Sequence, residues 1–319
     1  MATVSWAALG HATREDVAAF LRDTAPVALV ESIRAASDAE LVAATHDAAP
    51  GSPVVEGVMS RIGEIAVPAL LAQAEGRVRW ESTERPGEAT TLRLHGGVAE
   101  VEAAAGAGAD VVVHGSDLQL LRLVAGQLDV AVAYLGNQIG ITGASSVALS
   151  LASLFTVDGT PPVTGVPIDV RDIDPVDIAR VLHGVPADHL RSVMASDFRP
   201  VILEEIFGRM PGFVNGRKAA GVQITVGFRL TGRPDGEVDR YVLRLRDGRA
   251  TVLAGAAADA VGREDRHATV TCEAADFLRL VTGHLSAVSG VLRGQLKVRG
   301  DKAAALRLNA AFDIPTAVA

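Results

Sequence analysis

One stretch of this chain occurs twice, and that repeat limits the fold more than any other feature. Val111–Val157 lies over Ala268–Ile314 without a gap, sharing roughly 14 identities in about 47 positions. Leu121-Arg122-Leu123-Val124 matches Leu278-Arg279-Leu280-Val281, and Gly126 matches Gly283. Leu135, Gly143, Leu149, Leu151 and Phe155 match Leu292, Gly300, Leu306, Leu308 and Phe312. Most shared positions are apolar or glycine, so the repeat preserves a packing plan and no catalytic set. With 319 residues the chain has room for two domains, each with a core of its own.

Outside the gap-free stretch the likeness continues. Asp16-Val17-Ala18-Ala19-Phe20-Leu21 returns as Asp177-Ile178-Ala179-Arg180-Val181-Leu182, and Val55–Ile62 returns as Leu203–Met210. Thr13 and Ser37 each stand before acidic residues as helix caps. A further helix is expected from Val54 to about Ala74, kinked or ended by Pro68. Strands follow in each copy. Val78 and Trp80, then Leu92 and Leu94, alternate with polar residues in the first, as do Ile224, Val226, Phe228 and Leu230 in the second. Asp247-Gly248 is a hairpin signal. Each copy therefore reads as leading helices, an antiparallel meander and closing helices. The expected boundaries are 1–157 and 173–319, joined by a Pro- and Gly-bearing linker at 158–172.

Charge and cysteine content narrow the class. Met1–Val157 carries about −9 of the net −8 and has no lysine, which argues against nucleic acid as the main partner. Cys272 is the single cysteine, so no intramolecular disulfide forms; its partner position is Gly115, which points to a small buried residue. No apolar run has the length and freedom from charge of a membrane span, and the first residues lack a secretory pattern. The expectation is a cytoplasmic protein with no integral membrane segment.

Asp276-Phe277-Leu278-Arg279-Leu280-Val281-Thr282-Gly283, then Gly294-Gln295-Leu296-Lys297-Val298-Arg299-Gly300-Asp301, and a last helix ending at Phe312 resemble the sterol carrier protein 2 (SCP2) lipid-binding domain. The meander ending in Leu245-Arg246-Asp247-Gly248-Arg249 fits the same family. The match covers about 220–314 well and about 77–157 less well. The resemblance implies an α+β fold of the tandem, two-copy bacterial type, in which each domain is an antiparallel five-stranded sheet with helices over one face. It also implies an apolar tunnel for a fatty acyl chain, sterol or similar ligand, and it brings no shared catalytic residues. Ala144 stands where the second copy has Asp301, so the second copy is the expected binding module. Its apolar, inward-facing candidates are Phe228, Leu243, Leu245, Phe277, Leu280, Leu285, Val288, Leu292, Leu296 and Phe312, with His284 as a polar contact.

The remaining polar residues mark no further chemistry. None of the eight histidines has metal-ligand spacing, and no metal or cofactor is expected. His114 lies beside the predicted apolar region, and Arg122 and Arg279 read as salt-bridged surface residues. Gly300-Asp301-Lys302 reads as a helix cap followed by a solvated lysine. Gly106-Ala107-Gly108 lacks the third glycine of a dinucleotide cradle. Three readings of function follow. The first is a protein that binds and carries or presents a hydrophobic small molecule. The second is an enzyme that cyclises or isomerises such a molecule, using His284, Asp276 or Tyr241. The third is a scaffold that binds no ligand. The helices of the first copy carry so few charges between Leu118 and Phe155 that their face is expected to be buried against the second domain or a second copy of the chain.

Overall fold

The computed structural model describes residues 6–46, 52–102, 108–144, 147–148, 151, 154–155 and 175–314. The expected linker at 158–172, the turn residues 105–107 and the closing-helix positions Ser145, Ser150, Ala152 and Ser153 lie outside them. Two compact units result, Met1–Asp169 and Val170–Ala319.

In the first unit the leading helices are α1 (Trp6–Leu9), α2 (Arg14–Asp23), α3 (Pro26–Ala35) and α4 (Asp38–Thr45). Thr13 and Ser37 each form a complete capping box, with Asp16 and Glu40 returning the hydrogen bond to the cap. The single helix expected from Val54 to Ala74 is three short ones, α5 (Pro53–Ser60), α6 (Ile62–Ile65) and α7 (Pro68–Leu71). Arg61 leaves the helical region at φ −103° and ψ 4°, and Pro68 opens α7, where its missing N–H loses no bond.

The sheet consists of β1 (Gly76–Ser82), β2 (Ala89–His95), β3 (Val98–Glu102), β4 (Val111–Gly115) and β5 (Gly140–Gly143), in the order β3-β2-β1-β4-β5. Between its last two strands lie α8 (Asp117–Val124) and α9 (Val130–Leu135).

The second unit repeats this order. Its strands are β6 (Ile224–Thr231), β7 (Asp239–Arg246), β8 (Arg249–Ala254), β9 (Ala268–Glu273) and β10 (Lys297–Gly300), ordered β10-β9-β6-β7-β8. Its helices are α10 (Pro175–Val181), α11 (Ala187–Val193), α12 (Arg199–Arg209), α13 (Gly255–Asp259), α14 (Ala274–Val281), α15 (Ala287–Leu292) and α16 (Lys302–Ala310).

Two expectations need correction. The sheets are mixed, because β1 runs parallel to β4 and β6 runs parallel to β9. After the three-strand meander the chain crosses back to the far side of its first strand, and that crossover makes the two neighbours parallel. In the second unit the crossover also carries α13, which places a helix on the other face of the sheet. There Ala258 and Val261 pack with Val242 and Leu253 as a small second apolar cluster.

The first unit covers its own α8. Arg122 on that helix bonds Asp38 at 2.5 Å and the carbonyls of Ile33 and Ala36, and Arg34 bonds the Ala125 carbonyl. These contacts bring α3 and α4 over α8 within the first unit, while most of the closing helix, for which a partner surface is expected, lies outside the described residues. Among the described residues α4 has no counterpart in the second unit, where α10, α11 and α12 answer α2, α3 and α5.

Candidate functional site

Alternation along β6 and β7 sends Ile224, Val226, Phe228, Tyr241, Leu243 and Leu245 to one face, because Phe228 pairs with Tyr241 and Val226 with Leu243. The hydrophobic stripe of α14 closes over that face with Phe277 and Leu280. Four rings meet in the middle. Phe207 of α12 stacks on Tyr241 at 3.7 Å between ring centroids and on Phe277 at 5.0 Å, and Phe228 lies 5.5 Å from Phe277. Leu243 and Leu245 are fully buried behind this cluster.

The other candidates divide. Leu285 and Leu296 are buried around Gly290, where a Cβ would stand 2.8 Å from Leu296 and 3.4 Å from Leu285. Phe312 is half-buried and bridges to Val214 through the backbone. Val288 and Leu292 do not face inward as the periodicity predicts: they are 55% and 82% exposed. On a six-residue helix these two positions share one side, and the tight fit at Gly290 turns the opposite side toward the core.

The two units differ inside. Leu280 keeps 8% of its surface, Val270 7% and Phe228 6%, whereas their counterparts Leu123, Val113 and Trp80 keep 1%, 2% and 2%. Val281 is half-buried and its counterpart Val124 is buried. These positions are slightly more accessible in the second unit, whereas Val226, Phe277 and Leu243 are as buried as their counterparts Val78, Leu120 and Leu92.

The polar groups beside this layer already have partners. His284 Nε2 lies 2.7 Å from the Ala179 carbonyl, which ties the residue to α10. Asp276 accepts from Gln295 Nε2 at 2.9 Å and stands 3.6 Å from Arg279. Burial, aided by the neighbouring Glu273, raises the Asp276 carboxyl above its usual range, against the pull of Arg279 and Gln295. The Tyr241 hydroxyl is pushed up to about 12, mainly by burial and then by the Asp239 and Glu204 carboxylates. Burial, with Asp276 and Glu273, likewise holds the Cys272 thiol at about 12, which makes it an unreactive core residue. His114 sits 3.2 Å from Glu81 in the first unit, and Asp301 caps α16 through the Ala304 N–H at 3.0 Å. Among the described residues no three His, Cys, Asp or Glu side chains converge as a metal site.

Two buried ionic groups gave no sequence signal. Arg199, at the start of α12, donates to Asp239 at 2.7 Å and to the carbonyls of Met194, Leu230 and Thr231, fastening that helix to the ends of β6 and β7. Asp117 is fully buried, pairs with Arg85 at 2.5 Å and accepts from Ser82 Oγ at 3.0 Å. Both pairs join residues far apart in the chain, and no local spacing marks them.

Residues 60–156 match the SCP-2 sterol transfer family, and residues 195–317 match the alkyl sulfatase C-terminal family. The SCP2 likeness therefore falls on the copy that reads as the looser match by sequence, and the second copy answers to a differently named family. Among solved structures the chain is similar to the stereoselective inverting sec-alkylsulfatase Pisa1 from Pseudomonas sp., at 17% identity and a TM-score of 0.31. That match covers 53% of this chain and 24% of the alkylsulfatase, so the chain spans about a quarter of that enzyme's length. Sterol carrier protein-2 like-3 from Aedes aegypti is 23% identical with a TM-score of 0.28, over 35% of this chain and 93% of that one. The UbiJ-SCP2 ubiquinone synthesis protein is 17% identical with a TM-score of 0.27, over 37% of this chain and 93% of that one. No curated protein matches the sequence. Among the described residues no helix is long and apolar enough to cross a membrane.

Proposed function

We propose that this chain, which carries an SCP2-family match over residues 60–156, binds and carries or presents a hydrophobic small molecule between the sheet and helices of its second unit. The observation that carries the reading is the residual exposure of Leu280, Val270 and Phe228 where Leu123, Val113 and Trp80 are sealed. An apolar layer lined by stacked rings and open to this slight extent suits a ligand with an extended or polycyclic hydrocarbon body. The two family matches fit a ligand with a hydrocarbon body, since one family is named for sterol transfer and the other for alkyl sulfatases. The groups suggested for catalysis, His284, Asp276 and Tyr241, are each held by protein neighbours, so no observation favours the enzyme reading.

Filling the layer tests the proposal. Leu280→Trp should abolish binding of a fluorescent fatty acid while leaving thermal unfolding close to wild type. The same change at the sealed position, Leu123→Trp, should instead destabilise the first unit by about 1–3 kcal/mol and leave binding intact. Binding that survives Leu280→Trp in a folded protein would sink the proposal.

A further inference from the structure

The Gln295 side chain uses only one end of its amide. Its Nε2 donates to Asp276 Oδ1 at 2.9 Å, but its Oε1 is shut away from solvent and meets no donor among the described residues. A buried acceptor without a donor costs stability, so such an atom calls for a specific cause.

The first unit shows that the fold does not require this arrangement. The equivalents of Glu273, Asp276 and Gln295 are Ser116, Gln119 and Gln138. Ser116 and Gln119 close a capping box at the start of α8, Gln119 Nε2 donates to the Gln138 carbonyl at 3.0 Å, and Gln138 is exposed. In the second unit Glu273 leaves α14 without a side-chain cap, and Asp276 holds the Gln295 amide instead. A capping box at the helix start is thus exchanged for a polar pair with an acceptor to spare.

The pair stands beside the accessible positions of the apolar layer. Asp276 lies one turn before Leu280 on the same side of α14. Its charge reaches the Cys272 thiol, which lies two residues past Val270 on the inward face of β9. Leu280 and Val270 are two of the positions that keep residual surface. The charges nearby limit what can bind there. Asp276 and Glu273 oppose a carboxylate, and burial already raises the Asp276 carboxyl. Arg279, 3.6 Å from Asp276, and Arg191, 3.0 Å from Glu273, oppose an ammonium group. A neutral group that donates one hydrogen meets neither objection. We infer that Gln295 Oε1 receives the hydroxyl of the bound ligand, so that the second unit selects an uncharged alcohol over the acid with the same hydrocarbon body. Asp276 is the positioning residue, since its bond to Nε2 fixes which end of the amide is left to accept. The inference deepens the ligand-binding reading and rests on it.

The test compares pyrene-labelled probes of equal chain length on the full chain: an alkanol, its methyl ether and the alkanoic acid. Wild type should bind the alkanol about ten-fold more tightly than the ether, as one hydrogen bond to a buried acceptor gives. It should also bind the alkanol more tightly than the acid. Gln295→Met should bring the alkanol down to the level of the ether and leave the ether unchanged. Asp276→Asn should strengthen binding of the acid. Thermal unfolding checks that these variants fold, and the wild-type ratio of alkanol to ether decides the matter without them. Leu280→Trp should abolish binding of all the probes. Wild type that binds the alkanol no better than the ether or the acid would overturn this inference and leave the ligand-binding reading standing. An alkanol preference that survives Gln295→Met would do the same. Binding of no probe by wild type would overturn both.

Discussion

Gly115 and Cys272 hold the same place in the two copies, and the ring beside each decides which residue fits. A Cβ at position 115 would stand 2.7 Å from Trp80 Cζ2, so the indole takes the space that a side chain would need. In the second unit Phe228 occupies the place of Trp80, and its smaller ring leaves room for the Cys272 thiol. Gly115→Cys should therefore destabilise the first unit by about 1–3 kcal/mol, and adding Trp80→Phe should recover much of that loss, measured by a double-mutant cycle in denaturant. Additive losses would show that the two positions do not share one space. The sequence reveals Gly115 and Cys272 as equivalent and small, but the ring lies on another strand, and only the parallel pairing of β1 with β4 brings it alongside. Asp276 supports a second expectation. Burial raises its carboxyl above the ordinary range, so the stability gained from the protonated form is complete below that range and is lost as pH rises through the raised value. Asp276→Asn keeps the acceptor for Gln295 without the buried charge. The variant should equal wild type near about pH 3 and exceed it in denaturant resistance near about pH 7. A variant weaker at neutral pH would show that attraction to Arg279 outweighs burial.

Whole elements are legible where a capping residue or a strict period of two marks them, and less so where both sides of a segment are apolar or small. The capping boxes at Thr13 and Ser37 and the alternation of Ile224, Val226, Phe228 and Leu230 correspond to structure residue by residue. α15 shows the limit. Ala287-Val288-Ser289-Gly290-Val291-Leu292 has no charge on either side, so periodicity groups Val288 with Leu292 but cannot say which side faces the core. Contact between Gly290 and Leu296 decides it, and that contact is set by the return of the chain into β10. The mixed sheets were hidden for a related reason. Hairpin signals fix antiparallel neighbours, whereas the parallel pairing of β6 with β9 depends on a crossover with no local signature. α13 rides on that crossover and is mostly alanine, which explains why its cover of Val242 was also unmarked.

At the scale of the whole molecule, each five-stranded sheet is assembled entirely from its own half of the sequence. No strand is borrowed, and the buried ion pairs Arg85–Asp117 and Arg199–Asp239 each close within one unit. A half that contains its full sheet, covering helices and internal polar bonds has what independent folding requires. Residues 1–157 and 173–319, expressed separately, should each unfold cooperatively in denaturant. Their interiors make a further distinction. Leu123, Val113 and Trp80 seal the first layer, so that half should take up no fluorescent fatty acid, while the second half should bind it about as tightly as the full chain does. A first half that binds with equal strength would show that residual exposure does not report ligand space. A second half that folds without binding would overturn the assignment of the ligand to that unit.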